Sequence, residues 1–299
     1  MIPKILSVFI LLSAVMGLSP YQLPRDASAF QQRNLDTINN IYNLTTYPNN
    51  LVFLQGGVDA IPAGLFADDV VGRVTPLGDF SGIEDTVEYF FALTPDSSPP
   101  TYATWTNATI THFVSECPEV AATVVYGKAT GVNASFEATY QKHVSTMKQI
   151  AFWRFDDDGA VLKYDAWVPT LQQWWNTTHD VPHYPVNEAL VRQQLCQTTQ
   201  AKCIGANEQW DSAEECVTAL SQKPMGTFDN LWSDNIWCRA LHVRLTPIRP
   251  DVHCDHVGLG GGGKCVDVPY NDAYFDDESV FGEPSGETFV CPGIDVTFV

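Results

Sequence analysis

The stretch LFADDVVGRVTPLGDFSGIEDTVEYFFAL, residues 65–93, decides how the chain is read. Phe66, Val70, Val71 and Val74 are aromatic or β-branched, and Pro76 and Gly78 follow them, so the first half predicts a short strand running into a turn. Ser81 and Glu84 stand three residues apart, the spacing of a capping box, and Gly82 between them lets the chain turn. A helix is therefore predicted from about Gly82. On it, Ile83, Val87 and Phe91 fall on one face with Phe90 beside them, which predicts burial of that face. Glu84, Asp85 and Glu88 fall elsewhere and are predicted to face water, complementing the positive end of the helix.

Outward from this stretch, Phe30, Leu35, Ile38, Ile41 and Tyr42 recur near helical spacing and predict a first helix over residues 27–47, ended by Pro48, Asn49 and Asn50. A short segment over 51–54 follows, and the breaker cluster at 94–100 reads as a surface loop. Beyond it lie strand candidates at 102–117, 120–130, 134–145, 148–156 and 160–168, separated by short turns as in an antiparallel meander. The acidic turn at Asp156, Asp157, Asp158 and Gly159 joins the last two. If Asn107 faces solvent, strict alternation turns Ala108, Ile110, His112 and Val114 inward.

The order F-A-D-D-V-V, then G-D-F-S-G-I-E-D, then an aromatic-rich helix resembles the SnoaL-like branch of the nuclear transport factor two-like superfamily, over residues 27–178. The resemblance implies an α+β fold: a curved antiparallel sheet and helices forming a cone with a pocket at its open end. The superfamily includes cyclases, isomerases, dehydratases and plain binding modules, so the resemblance implies a fold more narrowly than a function. The expected organisation is a signal peptide at 1–19, the SnoaL-like cone at 20–178 and a disulfide-rich, mostly irregular or helical extension at 179–299.

Lys4 precedes an apolar run over residues 5–15, with Gly17 and Ser19 after it, the layout of a cleaved signal and too short for a comfortable membrane span. Sequons stand at Asn43, Asn107, Asn133 and Asn176, and with 8 cysteines they predict an extracellular, disulfide-bonded glycoprotein. A net charge of −19 repels phosphate backbones and anionic lipid, so neither nucleic acid nor a membrane is expected as partner. Cys196, Cys203, Cys216, Cys238, Cys254, Cys265 and Cys291 lie in the extension and Cys117 in the cone. The odd count favours a bridge from Cys117 to the tail, with Cys291 the expected partner; a free thiol or an intermolecular bridge is the alternative, and the other pairings stay open.

In SnoaL-like cyclases an acidic residue of the late sheet works as general acid or base, and the resemblance carries that role to Asp165. Alternation leaves its direction open: with Trp153, Phe155, Leu162 and Tyr164 in the core it points out, and a one-residue change of register reverses this. His112 is the second catalytic candidate. Trp153, Trp167, Tyr140 and His143 are candidate substrate contacts, while Trp174 and Trp175 suit a core or lid.

Three patterns in the extension are set aside. GLGGGGKC at 258–265 approaches a phosphate-binding loop but has Cys265 where Ser or Thr is needed and no strand before it, so it reads as a sharply turning loop beside a disulfide. His242, His253 and His256, with Asp251 or Asp255, could offer ligands to a metal, but Cys254 is expected to be a half-cystine, and the reading assigns neither metal nor cofactor. From Val266 onward come Asp267, Asp272, Asp276, Asp277, Glu278, Glu283, Glu287 and Asp295 without Lys or Arg, an acidic wrap stapled by Cys291. The functional expectation is a secreted glycoprotein with a pocket for a small apolar molecule, read as a cofactor-free cyclase, isomerase or dehydratase using acid/base chemistry. The alternative is a non-catalytic secreted ligand-binding or effector-like interaction protein.

Overall fold

A capping box does start a helix, but at Ser28 and Gln31: the Gln31 amide donates to Ser28 Oγ at 3.4 Å, and Gln31 Oε1 accepts from the Ser28 amide at 2.9 Å. Helix α1, Ala29–Thr45, buries Leu35, Ile38, Ile41 and Tyr42 on the predicted face. The computed structural model describes residues 21–93, 103–179 and 187–294. The expected signal peptide and the loop at 94–100 lie outside the described residues.

Helix α2, Leu51–Gly56, leads to strand β1, Phe66–Thr75, which turns back into β2, Gly78–Ser81. Helix α3, Gly82–Val87, begins where predicted, although Ser81 makes no side-chain cap; its own amide donates to the Asp85 carboxylate at 3.4 Å. The helix then widens into a π-helical segment, Glu88–Leu93. Strands β3, Ala103–Cys117, β4, Val120–Gly131, β5, His143–Phe155, and β6, Val161–Trp167, complete one sheet in the order β2-β1-β6-β5-β4-β3. All pairings are antiparallel except β1 with β6, which run parallel. The candidate strand at 134–145 is mostly a turn-rich loop, and only its last residues belong to β5. Two other candidates, at 102–117 and 160–168, are interrupted by bulges.

Those bulges decide which side chains face the core. In β3, Ile110 pairs with Val125 but His112 with Val124, so Thr111 is an extra residue and the alternation slips by one. Ile110, Phe113 and Ser115 therefore point inward, whereas His112 is exposed and Val114 is 57% exposed, reversing the expectation for both. On β5 and β6, Trp153, Phe155, Val161, Tyr164 and Ala166 face the concave core with Phe66, Phe90 and Phe91. The ring of Trp153 packs edge-on to Tyr42 and donates from its indole to Thr123 Oγ1 at 2.9 Å.

After α4, Leu171–His179, the extension folds around its own core as α5, Glu188–Lys202, α6, Ala213–Leu220, α7, Ile236–His242, and α8, Pro250–Val257. That core gathers Leu195, Trp210, Leu220, Ile236 and Val257 around Cys196–Cys216 and Cys203–Cys254, while Cys238–Cys265 ties α7 to the glycine loop. Buried Arg239 holds that loop, donating to the Gly258 and Leu259 carbonyls at 3.0 and 2.9 Å. Two further helices, α9, Tyr270–Phe275, and α10, Asp277–Phe281, belong to the final stretch, from Val266 onward.

That stretch is the acidic wrap, and it lies on the convex face of the sheet. Asp165, on β6 opposite in sense to Tyr164, is only 4% exposed because the wrap covers it. Arg73 of β1 donates to Asp165 at 2.6 Å and to Asp277 of the wrap at 2.8 Å, with its guanidinium over the Phe281 ring. Lys163 reaches Glu283 at 3.1 Å and the Phe281 carbonyl at 2.7 Å, and Arg154 reaches the Thr288 carbonyl at 2.6 Å. Burial pushes the Asp165 carboxyl above its ordinary value, with the hydrogen bond from Arg73 acting against it. Cys117 bonds Cys291, 174 residues away, and closes the wrap.

Two outcomes follow from this face. Cys117→Ala should cost about 2–5 kcal/mol of stability, and the double variant with Cys291→Ala no more than the single one; denaturant titration of both against the parent measures it. Arg73→Ala strands two carboxylates under the wrap and should cost about 3–5 kcal/mol, more than Asp165→Asn, in the same titration.

Candidate functional site

At the open end of the cone the concave sheet face, the helices and the extension enclose a cavity of about 160 Å³. Its floor is built from Tyr42 of α1, Tyr89 and Phe90 of the π-helical segment, Trp105 of β3, Ala129 of β4, and Met147 and Gln149 of β5. Its roof comes from Trp174 and Trp175 of α4 and from Phe228, Trp237, Leu241 and Arg244 of the extension. Trp175, Phe228 and Trp237 pack against one another with ring centroids 5.5–6.0 Å apart, so aromatic faces from both halves of the chain close the space. Helix α4 is held to the sheet by the Ser145 and Thr178 hydroxyls at 2.6 Å.

Sequence explains the floor locally. Odd-numbered residues of β5 point inward, which puts Met147 and Gln149 beside Trp153 and Phe155. Gly127 on β4 lets Trp105 lie flat across the strand: a Cβ there would sit 2.5 Å from the indole.

Gln149 is the polar hub of the cavity. Its Oε1 accepts from Tyr42 Oη at 2.6 Å and its Nε2 donates to Tyr89 Oη at 2.5 Å, a buried chain of three side chains. Burial raises the pKa of both tyrosines, and their phenols stay protonated donors at neutral pH. Among the described residues the indole N–H groups of Trp105 and Trp174 have no acceptor although both are buried. Buried donors without acceptors are costly, and these two lie beneath the cavity surface. The cavity thus offers aromatic walls and a hydrogen-bonded pair of phenols.

The residues singled out from sequence are spread elsewhere. Asp165 is on the convex face under the wrap and does not line the cavity. His112 is exposed, with Nδ1 3.1 Å from Thr111 Oγ1; His143 is exposed, with Nε2 2.8 Å from Thr146 Oγ1. Tyr140 is 37% exposed in the loop before β5, and Trp167 packs edge-on against Phe152 on the convex face. Trp153 is a core ring behind the floor, touching Tyr42 and Phe90. Asp165 and His112 are therefore not brought together. Sequence reading missed Tyr42, Tyr89, Gln149, Trp105 and Trp237, whereas Trp174 and Trp175, expected as core or lid, do form the roof.

A second cavity, also about 160 Å³, abuts the first and shares Leu77, Tyr89, Leu93 and Leu241 with it as a wall. Unlike the first, it carries acidic groups and imidazoles, with Asp79, Asp85, Glu88, Lys264, His242, His253 and His256 on its lining. Glu88, predicted to face water, is buried there because the extension covers it. Arg249 donates to its two oxygens at 2.7 and 2.6 Å and also reaches Asp85 at 2.6 Å, while His253 Nε2 lies 2.9 Å from Glu88 Oε2. Burial pushes the Glu88 carboxyl up, but the hydrogen bonds from Arg249 and His253 outweigh it and hold it below its ordinary value. Burial pulls His242 well below the usual imidazole range and His256 down to about 4, with the neighbouring histidines adding to both shifts.

Comparison with known proteins matches two family models in succession. Residues 39–166 fit the family model of the BfoA N-terminal domain and residues 160–268 that of the BfoA family C-terminal domain. Aurasperone B biosynthesis cluster protein A of Aspergillus niger is 28% identical over 277 residues, covering 83% of this chain and 86% of the relative. Bifonsecin B biosynthesis cluster protein A of Aspergillus brasiliensis is also 28% identical over 277 residues, covering 83% and 88%. Among solved structures, a SnoaL-like polyketide cyclase from Jannaschia sp. CCS1 is similar over 53% of this chain and 100% of its own, with 11% identity and a TM-score of 0.37. A phenazine biosynthesis-related protein from Pseudomonas aeruginosa is similar over 52% and 90%, with 16% identity and a TM-score of 0.33. The two family models run in order and together span residues 39–268, most of the chain, which belongs to the BfoA family: an α+β cone followed by a disulfide-bonded C-terminal domain.

Proposed function

We propose that this protein binds a small aromatic molecule bearing acceptor oxygens in the cavity at the open end of the cone, outside the cell. The observation that carries the reading is the pairing of apolar aromatic walls with the hydrogen-bonded group of Tyr42, Gln149 and Tyr89. Apolar cavities of ~150 Å³ take up a molecule of benzene size, so one substituted ring, or one ring of a larger molecule entering from the mouth, fits this volume. The relatives are named for the biosynthesis clusters of aurasperone B and bifonsecin B, which supports a biosynthetic precursor or product as the ligand.

Binding is favoured over acid/base turnover by the chemistry of the lining. Tyr42, Tyr89, Gln149 and Arg244 are its main polar side chains, and neither a carboxylate nor an imidazole is among its described residues. Neutral phenols and amides orient a ligand oxygen well, but they are poor proton acceptors near neutral pH.

Titration with hydroxylated aromatic ketones and pyrones should quench the tryptophan fluorescence saturably, since Trp105, Trp174, Trp175 and Trp237 line the cavity. Gln149→Leu should weaken the tightest ligand by about 1–3 kcal/mol, and Met147→Trp should abolish binding by filling the space, both with unchanged circular dichroism. A panel that leaves the fluorescence unmoved, or that binds Met147→Trp as well as the parent, removes the proposal.

Secretion is supported by the apolar run at 5–15 and by the four disulfides, and glycosylation by the exposure of Asn43 and Asn176. Expressed in a eukaryotic secretory host, the chain should begin within residues 18–21 and lose mass on deglycosylation. Intact Met1 with unmodified sequons would count against this.

A further inference from the structure

The second cavity carries a constellation unrelated to the aromatic one. His242 closes α7, and His253 and His256 stand three apart on α8, so both reach the same side of that helix. The packing of α7 on α8 brings the three rings together. His242 Nδ1 lies 3.2 Å from His253 Nδ1 and 3.2 Å from His256 Nδ1, and the three ligand atoms fall within 4.8 Å of one another. Nitrogens bound to one tetrahedral zinc at 2.0–2.1 Å are ~3.3 Å apart, so both closest separations are those of ligands around one ion.

Protons alone do not satisfy this arrangement. Ionised Glu88 only accepts, so His253 places an N–H on Nε2, and in the neutral ring this leaves Nδ1 as the lone-pair nitrogen. His242 Nδ1 faces two nitrogens and can share one proton with one of them. The other contact then opposes like groups, in a buried place where an unsatisfied nitrogen is costly. A cation at the convergence point takes up all three lone pairs.

The surroundings are those of a built metal site. Glu88 fixes the tautomer and direction of His253, and Arg249 in turn fixes Glu88, the outer-shell carboxylate pattern that orients metal-bound imidazoles. Gly262 packs on His256: a Cβ at Gly262 would lie 2.8 Å from His256 Cδ2, and its φ of +54° suits glycine. The glycine loop thus buttresses a histidine. Cys238 and Cys265 lie near His242, but they are bonded to each other and supply no thiolate. An all-imidazole set selects zinc, copper, nickel or cobalt over calcium and magnesium.

We propose that His242, His253 and His256 bind one divalent zinc-class cation through their three Nδ1 atoms, with a fourth position open to the second cavity. Three protein ligands with an open position is the arrangement of a zinc that binds an exchangeable fourth ligand. This reverses the assignment of no metal made from sequence, and it stands apart from the aromatic cavity and its ligand.

The test uses the full secreted chain, stripped with a chelator and dialysed against zinc. Elemental analysis should find one zinc per chain, magnesium and calcium should not displace it, and cobalt(II) should give the visible absorption of a four-coordinate site. His242→Ala and His256→Ala should lose at least tenfold in zinc affinity, and Glu88→Gln about 10- to 100-fold. The double variant His112→Ala/His143→Ala, on the exposed strands, should keep full stoichiometry. Should the α7 and α8 variants fail to fold, the parent still decides the matter through its zinc stoichiometry and cobalt spectrum. Less than one-tenth equivalent of zinc in the parent, or a six-coordinate cobalt spectrum, would overturn the proposal.

Discussion

The molecule turns on a buried carboxylate, Glu88, in the π-helical segment of the cone. A carboxylate taken out of water must be paired, and its partners, Arg249 and His253, come from a different domain. The cone helix is therefore incomplete without the C-terminal domain, and the C-terminal domain keeps an arginine and a histidine poised for it. This pairing sets α8 against the helix and defines the gap in which both cavities lie. Tyr89, the next residue, forms part of the wall between them. A π-helical turn suits this position because its wider spacing sends successive side chains, Glu88, Tyr89 and Phe90, to the seam, the cavity and the core.

The second constraint is the sheet. Its concave face is filled by helices and aromatic rings, and its convex face would be left to water in a free-standing cone. Here that face carries Arg73, Arg154, Lys163 and Asp165, and the acidic wrap answers the cations in place of solvent. Both faces of β6 are thus buried, and Asp165 sits in an ion-pair network with structural consequences and no route to the cavity.

What was legible in the sequence follows the range of the interaction. Helix α1, the start of α3 and most of the meander are written in local periodicity, and the resemblance to SnoaL-like proteins placed them in one cone. The acidic tail showed itself by lacking Lys and Arg, and the odd cysteine count pointed Cys117 at it. The facing of His112 was not legible, because it depends on Thr111 being left over when β3 pairs with β4. Glu88 looked like a solvated residue because its neutralising partners lie 161 and 165 residues further on. The cavity is the hardest feature to read: its floor and roof come from segments separated by the whole sheet, and Gln149 looks like any polar residue in a strand.

The bridge between Cys117 and Cys291 bears on how the chain is made. A ribosome releases the cone first, and Cys117 then waits for a partner that stands 174 residues further along the chain. During that interval Cys196, Cys203 and Cys216 appear in turn, each a wrong partner for the waiting thiol if an oxidant joins the two. In the folded chain Cys196 and Cys203 lie in a separate hydrophobic core, while the charge complementarity of the convex face holds the wrap, and Cys291 with it, against the cone. The acidic wrap thus joins the cone in two ways, by charge along its length and by a covalent bond near its end.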